Sequence, residues 1–189
     1  MSRCYRISVS ESLARHVHVD DGLQTKLELL DILPSERMAE LLGARLAERG
    51  YEAKEGSVWE KTLESGVVVR VDVATGTVDI SLTEEAALEL ERKRSTTVAD
   101  VDPRTVEEAL RKKVKQQLEE EADVATEALR VEVTRKLEEA LSGVRKELDD
   151  AVNRATADAL KEKAKSLGEV TEITEDAETG AVTIRVRVG

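Results

Sequence analysis

The sequence predicts an α+β fold, with a small, mostly antiparallel sheet and one packed helix, then a long helical arm or helical hairpin inserted before a C-terminal β-hairpin. Three observations predict it. Apolar residues alternate at period two near both ends, in Tyr5, Ile7 and Val9 and again in Val182, Ile184, Val186 and Val188. Between Pro34 and Gly50 the apolar residues Met38, Leu41, Leu42 and Leu46 fall at helical spacing. From Pro103 to Leu167 there is no glycine but Gly143 and no proline after the first residue, so little interrupts a helix there. The expected division is an α+β base over 1–82, a helical arm over 83–167 and a hairpin over 168–189 that completes or extends the base.

Taken in order, Tyr5 to Val9 reads as a half-buried strand, and Val17 and Val19 form a second alternation with His16, His18 and Asp20 opposite. Asp21-Gly22 supplies a turn between that strand and an extended segment over Leu23 to Leu33. Ser35 is placed to cap the next helix, with Glu36 in its first turn and Gly50 as a left-handed stop. Short extended pieces follow at Tyr51–Lys54, Val58–Leu63, Val67–Val73 and Val78–Leu82. The turns Glu55-Gly56, Ser65-Gly66 and Thr75-Gly76 make them an antiparallel meander.

From Thr83 the apolar period changes from two to about four, so Glu84 to Arg94 is read as a helix, with 95–102 as linker. Asp102 then caps a helix whose first residue is Pro103, where a missing amide hydrogen costs nothing. Inside that helix the apolar stripe from Val106 through Leu118, Leu129 and Leu137 to Leu148 recurs every ~3.8 residues, longer than the ~3.5 of a left-handed coiled coil. A parallel leucine zipper is disfavoured, and a fold-back at Ser142-Gly143 or a right-handed association fits better. The turn segment Asp176–Ile184 repeats the pattern D-x-x-T-G-x-V-x-I of Asp72–Ile80.

Composition limits function. The chain has 189 residues, a formal net charge of −11, 37% charged residues and no Phe, with Trp59, Tyr5 and Tyr51 as its aromatics. Such a charge repels phosphate backbones and argues against nucleic-acid binding. Cys4 is the one cysteine, no apolar run is long enough to span a membrane, and the opening residues lack a signal-like apolar region, so a cytoplasmic protein is expected.

Candidate chemistry is sparse. His16, His18 and Asp20 alternate on a strand, so two imidazoles and a carboxylate share one face and form the candidate metal site, with Cys4 on a neighbouring strand as a further ligand. The plainer reading is an exposed polar face. Cys4 lacks the base and orienting group of a nucleophile. No Gly-rich phosphate loop is present and no cofactor is expected. Trp59 is a candidate partner anchor, against the plainer role of closing a core edge. The basic block Arg111, Lys112, Lys113, Lys115 followed by Glu119, Glu120, Glu121 is a candidate interaction surface, since an antiparallel neighbour would present the reverse order.

The opening MSRCYRISVSES, the segment LELLDILPSERMAELL and the closing TGAVTIRVRV resemble an accessory protein of the FtsH ternary systems, bacterial gene clusters built around FtsH-like and MoxR-like AAA+ ATPases. The resemblance implies a partner or adaptor module working with ATPase subunits in a conflict or stress system, and it transfers no catalytic residues. The reading that results is a non-enzymatic interaction protein with a protein partner and no membrane. Self-assembly into a homodimer through the helical arm is the second reading, and a small metal-dependent enzyme the third.

Overall fold

The structure is a computed structural model that describes residues 4–99, 102–175 and 182–187. Strand β1 covers Cys4–Lys26, helix α1 Ser35–Ala47, and strands β2, β3 and β4 cover Glu52–Ala53, Val58–Thr62 and Val68–Asp72. Strand β5 covers Thr77–Ala99, helix α2 Pro103–Leu167, and strands β6 and β7 cover Glu169–Glu175 and Val182–Arg187. Five strands form one sheet in the order β1-β5-β4-β3-β2, and β6 and β7 form a second, two-stranded sheet. This is the α+β architecture the sequence predicts.

Contacts divide the chain into two compact units. A ribbon unit comprises Met1–Asp20 with Thr83–Arg135, and a sheet unit comprises Asp21–Leu82 with Lys136–Gly189. The boundary falls within β1, β5 and α2.

In the sheet unit, Val67, Val69 and Val71 on β4 and its flank alternate inward with Val78, Ile80 and Leu82 on β5, and all are buried. Helix α1 adds Met38, Leu42 and Leu46. The ion pairs Arg37–Glu162 at 3.0 Å and Arg45–Asp158 from α1, with Arg49–Asp150 at 3.6 Å from the turn just past its end, set α1 antiparallel to α2. The buried residues along that stretch of α2 include Ala151, Ala155 and Ala159, whose small side chains let the helix axes come close. Gly50, Gly56, Gly66 and Gly76 all have positive φ, as the Gly-containing turns require.

In the ribbon unit β1 and β5 run antiparallel under α2. Residues 7–20 of β1 alternate without a break, the odd ones turned inward and the even ones exposed. The inward row of β5 is Glu84, Ala86, Leu88, Leu90 and Arg92. Element lengths here follow from pitch. Thr83 to Ala99 spans ~56 Å at ~3.3 Å per strand residue, and Pro103 to Arg135 ~50 Å at ~1.5 Å per helical residue.

Several expectations are corrected. Glu84–Arg94 is strand, and 83–99, expected to begin the helical arm and its linker, belongs to β5. Its helix formers are outweighed by an alternation that continues from Val78 and by pairing with β1. Residues 4–26 are one strand and Asp21-Gly22 is no turn. Gly22 lies where a Cβ would come within 2.9 Å of the Ile80 carbonyl oxygen and 3.2 Å of Ser81 Cβ, so a close approach of β5 calls for glycine. Ser35 is the first helical residue, Pro34 stands at the cap position, and no side-chain cap bond forms.

Helix α2 continues through Ser142-Gly143 without a fold-back. Asp102 does cap it, accepting from the Arg104 amide at 3.1 Å. Among the described residues the terminal hairpin joins no strand of the five-stranded sheet, although it shares a compact unit with 21–82. Its turn Glu178-Thr179-Gly180 lies outside the described residues, as do the side chains of Cys4 and Tyr5.

Candidate interaction surface

The sequence of α2 sets which side faces inward. Ala122, Val133, Val144 and Ala155 are all buried and stand eleven residues apart. An eleven-residue period is ~3.67 residues per turn, so the buried stripe drifts slowly around the helix with the hand opposite to a leucine zipper's. The expectation of a non-heptad stripe is thus met by a period that places the helix on a sheet.

The charge blocks of α2 find partners on the strands below. Arg111 Nε and Lys115 Nζ lie 3.2 and 3.8 Å from the carboxylate of Glu11 on β1, whose side chain is 18% exposed. Arg15 Nη1 donates to Asp123 Oδ1 at 2.5 Å, and Arg92 of β5 meets Glu121 at 3.1 Å. The expected reverse charge order is therefore supplied in part by β1 and β5. Lys112, Lys113, Glu119 and Glu120 are exposed on α2. Glu108, Arg111, Lys112, Lys115, Gln116 and Glu119 line a shallow groove of about 490 Å³ along the helix.

On the opposite face of the ribbon, the structure brings His18 and Asp20 together and leaves His16 exposed on the same face. His18 Nε2 lies 2.8 Å from Asp20 Oδ2 and Nδ1 3.1 Å from Glu85 Oε1, while the Thr83 hydroxyl donates to Asp20 Oδ1 at 2.7 Å. Glu85 first and Asp20 second hold the imidazole pKa above its ordinary value, and the Thr83 hydroxyl holds that of Asp20 below. Among the described residues no group of three or more His, Cys, Asp or Glu side chains is arranged to hold a metal ion.

Trp59 lies in the sheet unit, half-buried on β3 and laid over α1. A Cβ on Gly43 would come within 2.9 to 3.0 Å of its indole ring, so Gly43 makes room for it. In the core of the same unit, the Tyr51 hydroxyl is buried without a hydrogen-bond partner among the described residues, and burial pushes its pKa up. Lys61, 5.2 Å from the Tyr51 ring centroid, pairs with Glu147 at 2.6 Å. The same unit carries a groove of about 680 Å³ with a mixed lining, in which Leu23, Leu141 and Val152 alternate with Lys26, Arg145 and Asp149.

Sequence reasoning missed one feature of the surface. On α2 the large apolar residues Val124 and Val131 are 70% and 63% exposed. At ~100° per residue they share a face, roughly opposite Leu118 and Ala122 of the buried stripe. The signal was present as two valines outside the stripe, seven residues apart.

The family model of the FtsH ternary system domain X5 matches residues 1–188. The chain belongs to that family. Membership makes it a component of an FtsH ternary system, in line with the resemblance in its terminal and α1 segments. No curated protein and no solved structure matches it. Among those described, no helix is long and apolar enough to cross a membrane.

Proposed function

We propose that this X5 domain is a non-catalytic adaptor of its ternary system, presenting the outward face of α2 to another protein component, an AAA+ ATPase subunit. The observation that carries the reading is the exposed pair Val124 and Val131. A β-branched residue on a solvated helix face gives up rotamer freedom and some helix propensity and returns no burial, so its use there is explained by a partner that covers it. Membership of a multi-component system supports a protein as that partner.

The test is co-expression with the neighbouring genes of the same system and purification through a tag on this chain. An ATPase subunit is expected to co-purify, and Val124→Glu with Val131→Glu to remove it while leaving the helical circular-dichroism signal intact. Retention of the ATPase by the double variant sinks the assignment of the surface. A chain that purifies alone with every neighbour expressed sinks the adaptor reading itself.

A further inference from the structure

β1 ends the five-stranded order, so its far edge is unpaired among the described residues. From Ile7 to Val19 this edge has no proline, no glycine and no break in its alternation, and long edges of that kind are normally covered or blunted. The Leu27 amide donates to the Gly76 carbonyl at 2.8 Å. By alternation, odd residues of β1 turn their amides and carbonyls toward β5, and even residues turn theirs to the free edge. An antiparallel strand added at that edge must hydrogen-bond even residues to residues equally free.

We propose that the added strand is β1 of a second copy of this chain, in the register that sets Leu13 opposite Leu13 across a two-fold axis. The segment from Arg6 to Asp20 is complementary to its own reversal about that residue. On the inward face Glu11 meets Arg15 of the second copy, Val9 meets Val17 and Ile7 meets Val19. On the outward face Arg6 meets Asp20 and Ser10 meets His16. Sliding the pairing by two residues, the smallest step the edge allows, puts Glu11 against Leu13 or Val17. Sliding it by four puts Glu11 on Glu11 or Arg15 on Arg15, and like charges directly opposite are destabilising. Among these registers the one centred on Leu13 alone pairs both charges.

The helices fit the same symmetry. Each ribbon is two strands wide, so a second α2 lies ~10 Å from the first, at the spacing of packed helices. As β1 advances from Glu11 to Arg15, its contacts on α2 advance from Arg111 and Lys115 to Asp123, so the axis meets α2 close to Leu118. An antiparallel copy then sets Lys112 and Lys115 across from Asp123 and Glu119, along the groove those lysines line.

The test uses the full chain. Light scattering at high micromolar concentration is expected to give twice the chain mass, and a strict monomer overturns the proposal. In a Cys4→Ser background, Leu13→Cys is expected to form a covalent dimer under mild oxidation. Residues facing each other in a non-hydrogen-bonded antiparallel pair lie ~4.5 Å apart at Cα, within disulfide range. Glu11→Cys and Arg15→Cys are each expected to stay uncrosslinked alone and to crosslink when mixed. Self-crosslinking of either, or failure of Leu13→Cys in a dimeric protein, overturns the register. Ser12→Pro removes an amide that serves the free edge and leaves the bonds to β5 in place. It is expected to keep the fold and weaken the dimer by about tenfold or more, since the axis deletes that bond twice. A dimer of unchanged affinity counts against the edge.

Discussion

The sheet unit and the ribbon unit share β1, β5 and α2 and differ in what surrounds them. Where β4, β3 and α1 are added, the inward row of β5 is Val78, Ile80 and Leu82, nearly inaccessible to water. Where β5 has β1 alone beside it, the inward row becomes Glu84, Ala86, Leu88, Leu90 and Arg92, all half-exposed. Under α2 the ribbon does bury Ile7, Val9, Val17 and Val19 of β1 against Val114, Leu118, Ala122 and Val133, but the rest of its inner face is half-exposed and carries charged side chains that meet α2 at Glu11, Arg15 and Arg92. Exposed or half-exposed pairs of this kind contribute ~0–1 kcal/mol each, against ~1.5–3 for a fully buried aliphatic side chain. The difference teaches that the sheet unit holds most of the stability, and that the ribbon has surface to spare for partners.

The largest test is truncation in each unit. Leu46→Ala, at a fully buried site, is expected to cost ~2–5 kcal/mol by denaturant titration. Leu88→Ala, on the half-buried row of the ribbon, is expected to cost distinctly less, and equal losses would break the comparison. Next is Gly43→Val, which forces Trp59 off α1 and is expected to cost ~1–3 kcal/mol with a red-shifted Trp59 emission. An unshifted spectrum would remove the indole from that site.

The smallest effect is one of pH. Asp72 accepts from the Ser57 hydroxyl at 2.5 Å, the Thr75 hydroxyl at 2.8 Å and the Ala74 amide at 3.0 Å. These bonds, Ser57 first, hold its pKa below the usual carboxylate value. Its stabilisation is present above the unfolded-state pKa and is lost as pH falls through the folded-state value. Asp72→Asn is expected to flatten the acid side of the stability curve of the sheet unit, read by hydrogen exchange at the β4–β5 turn. A curve that keeps its acid limb removes Asp72 as the cause.

What was legible in the sequence had local causes. Positive-φ glycines mark the stops and turns at Gly50, Gly56, Gly66 and Gly76, and Asp102-Pro103 marks the start of α2. The strand over 83–99 was not legible by propensity, because Ala, Leu, Glu and Arg all favour helix and its cause is β1, some seventy residues earlier. Its alternation was readable, with Val78 through Leu90 holding one parity. Gly168 stands just past the end of α2. A Cβ there would collide with the Arg187 carbonyl oxygen, a contact that depends on the return of β7. The surface on α2 was half legible: the charge blocks stood out, but their partners on β1 and β5 follow from topology.

The unequal pitch of strand and helix in the ribbon also constrains how this family's members can differ in length. Insertions in β1 and β5 keep the inward face only in even numbers, and those in α2 keep the buried stripe only in near-whole numbers of turns. Eighteen helical residues, about five turns, rise ~27 Å, close to eight strand residues. Longer or shorter relatives are thus expected to change in coordinated blocks at three distant places in the chain. A lone insertion of two residues in α2, a turn of ~200°, would carry its outward valines under the helix.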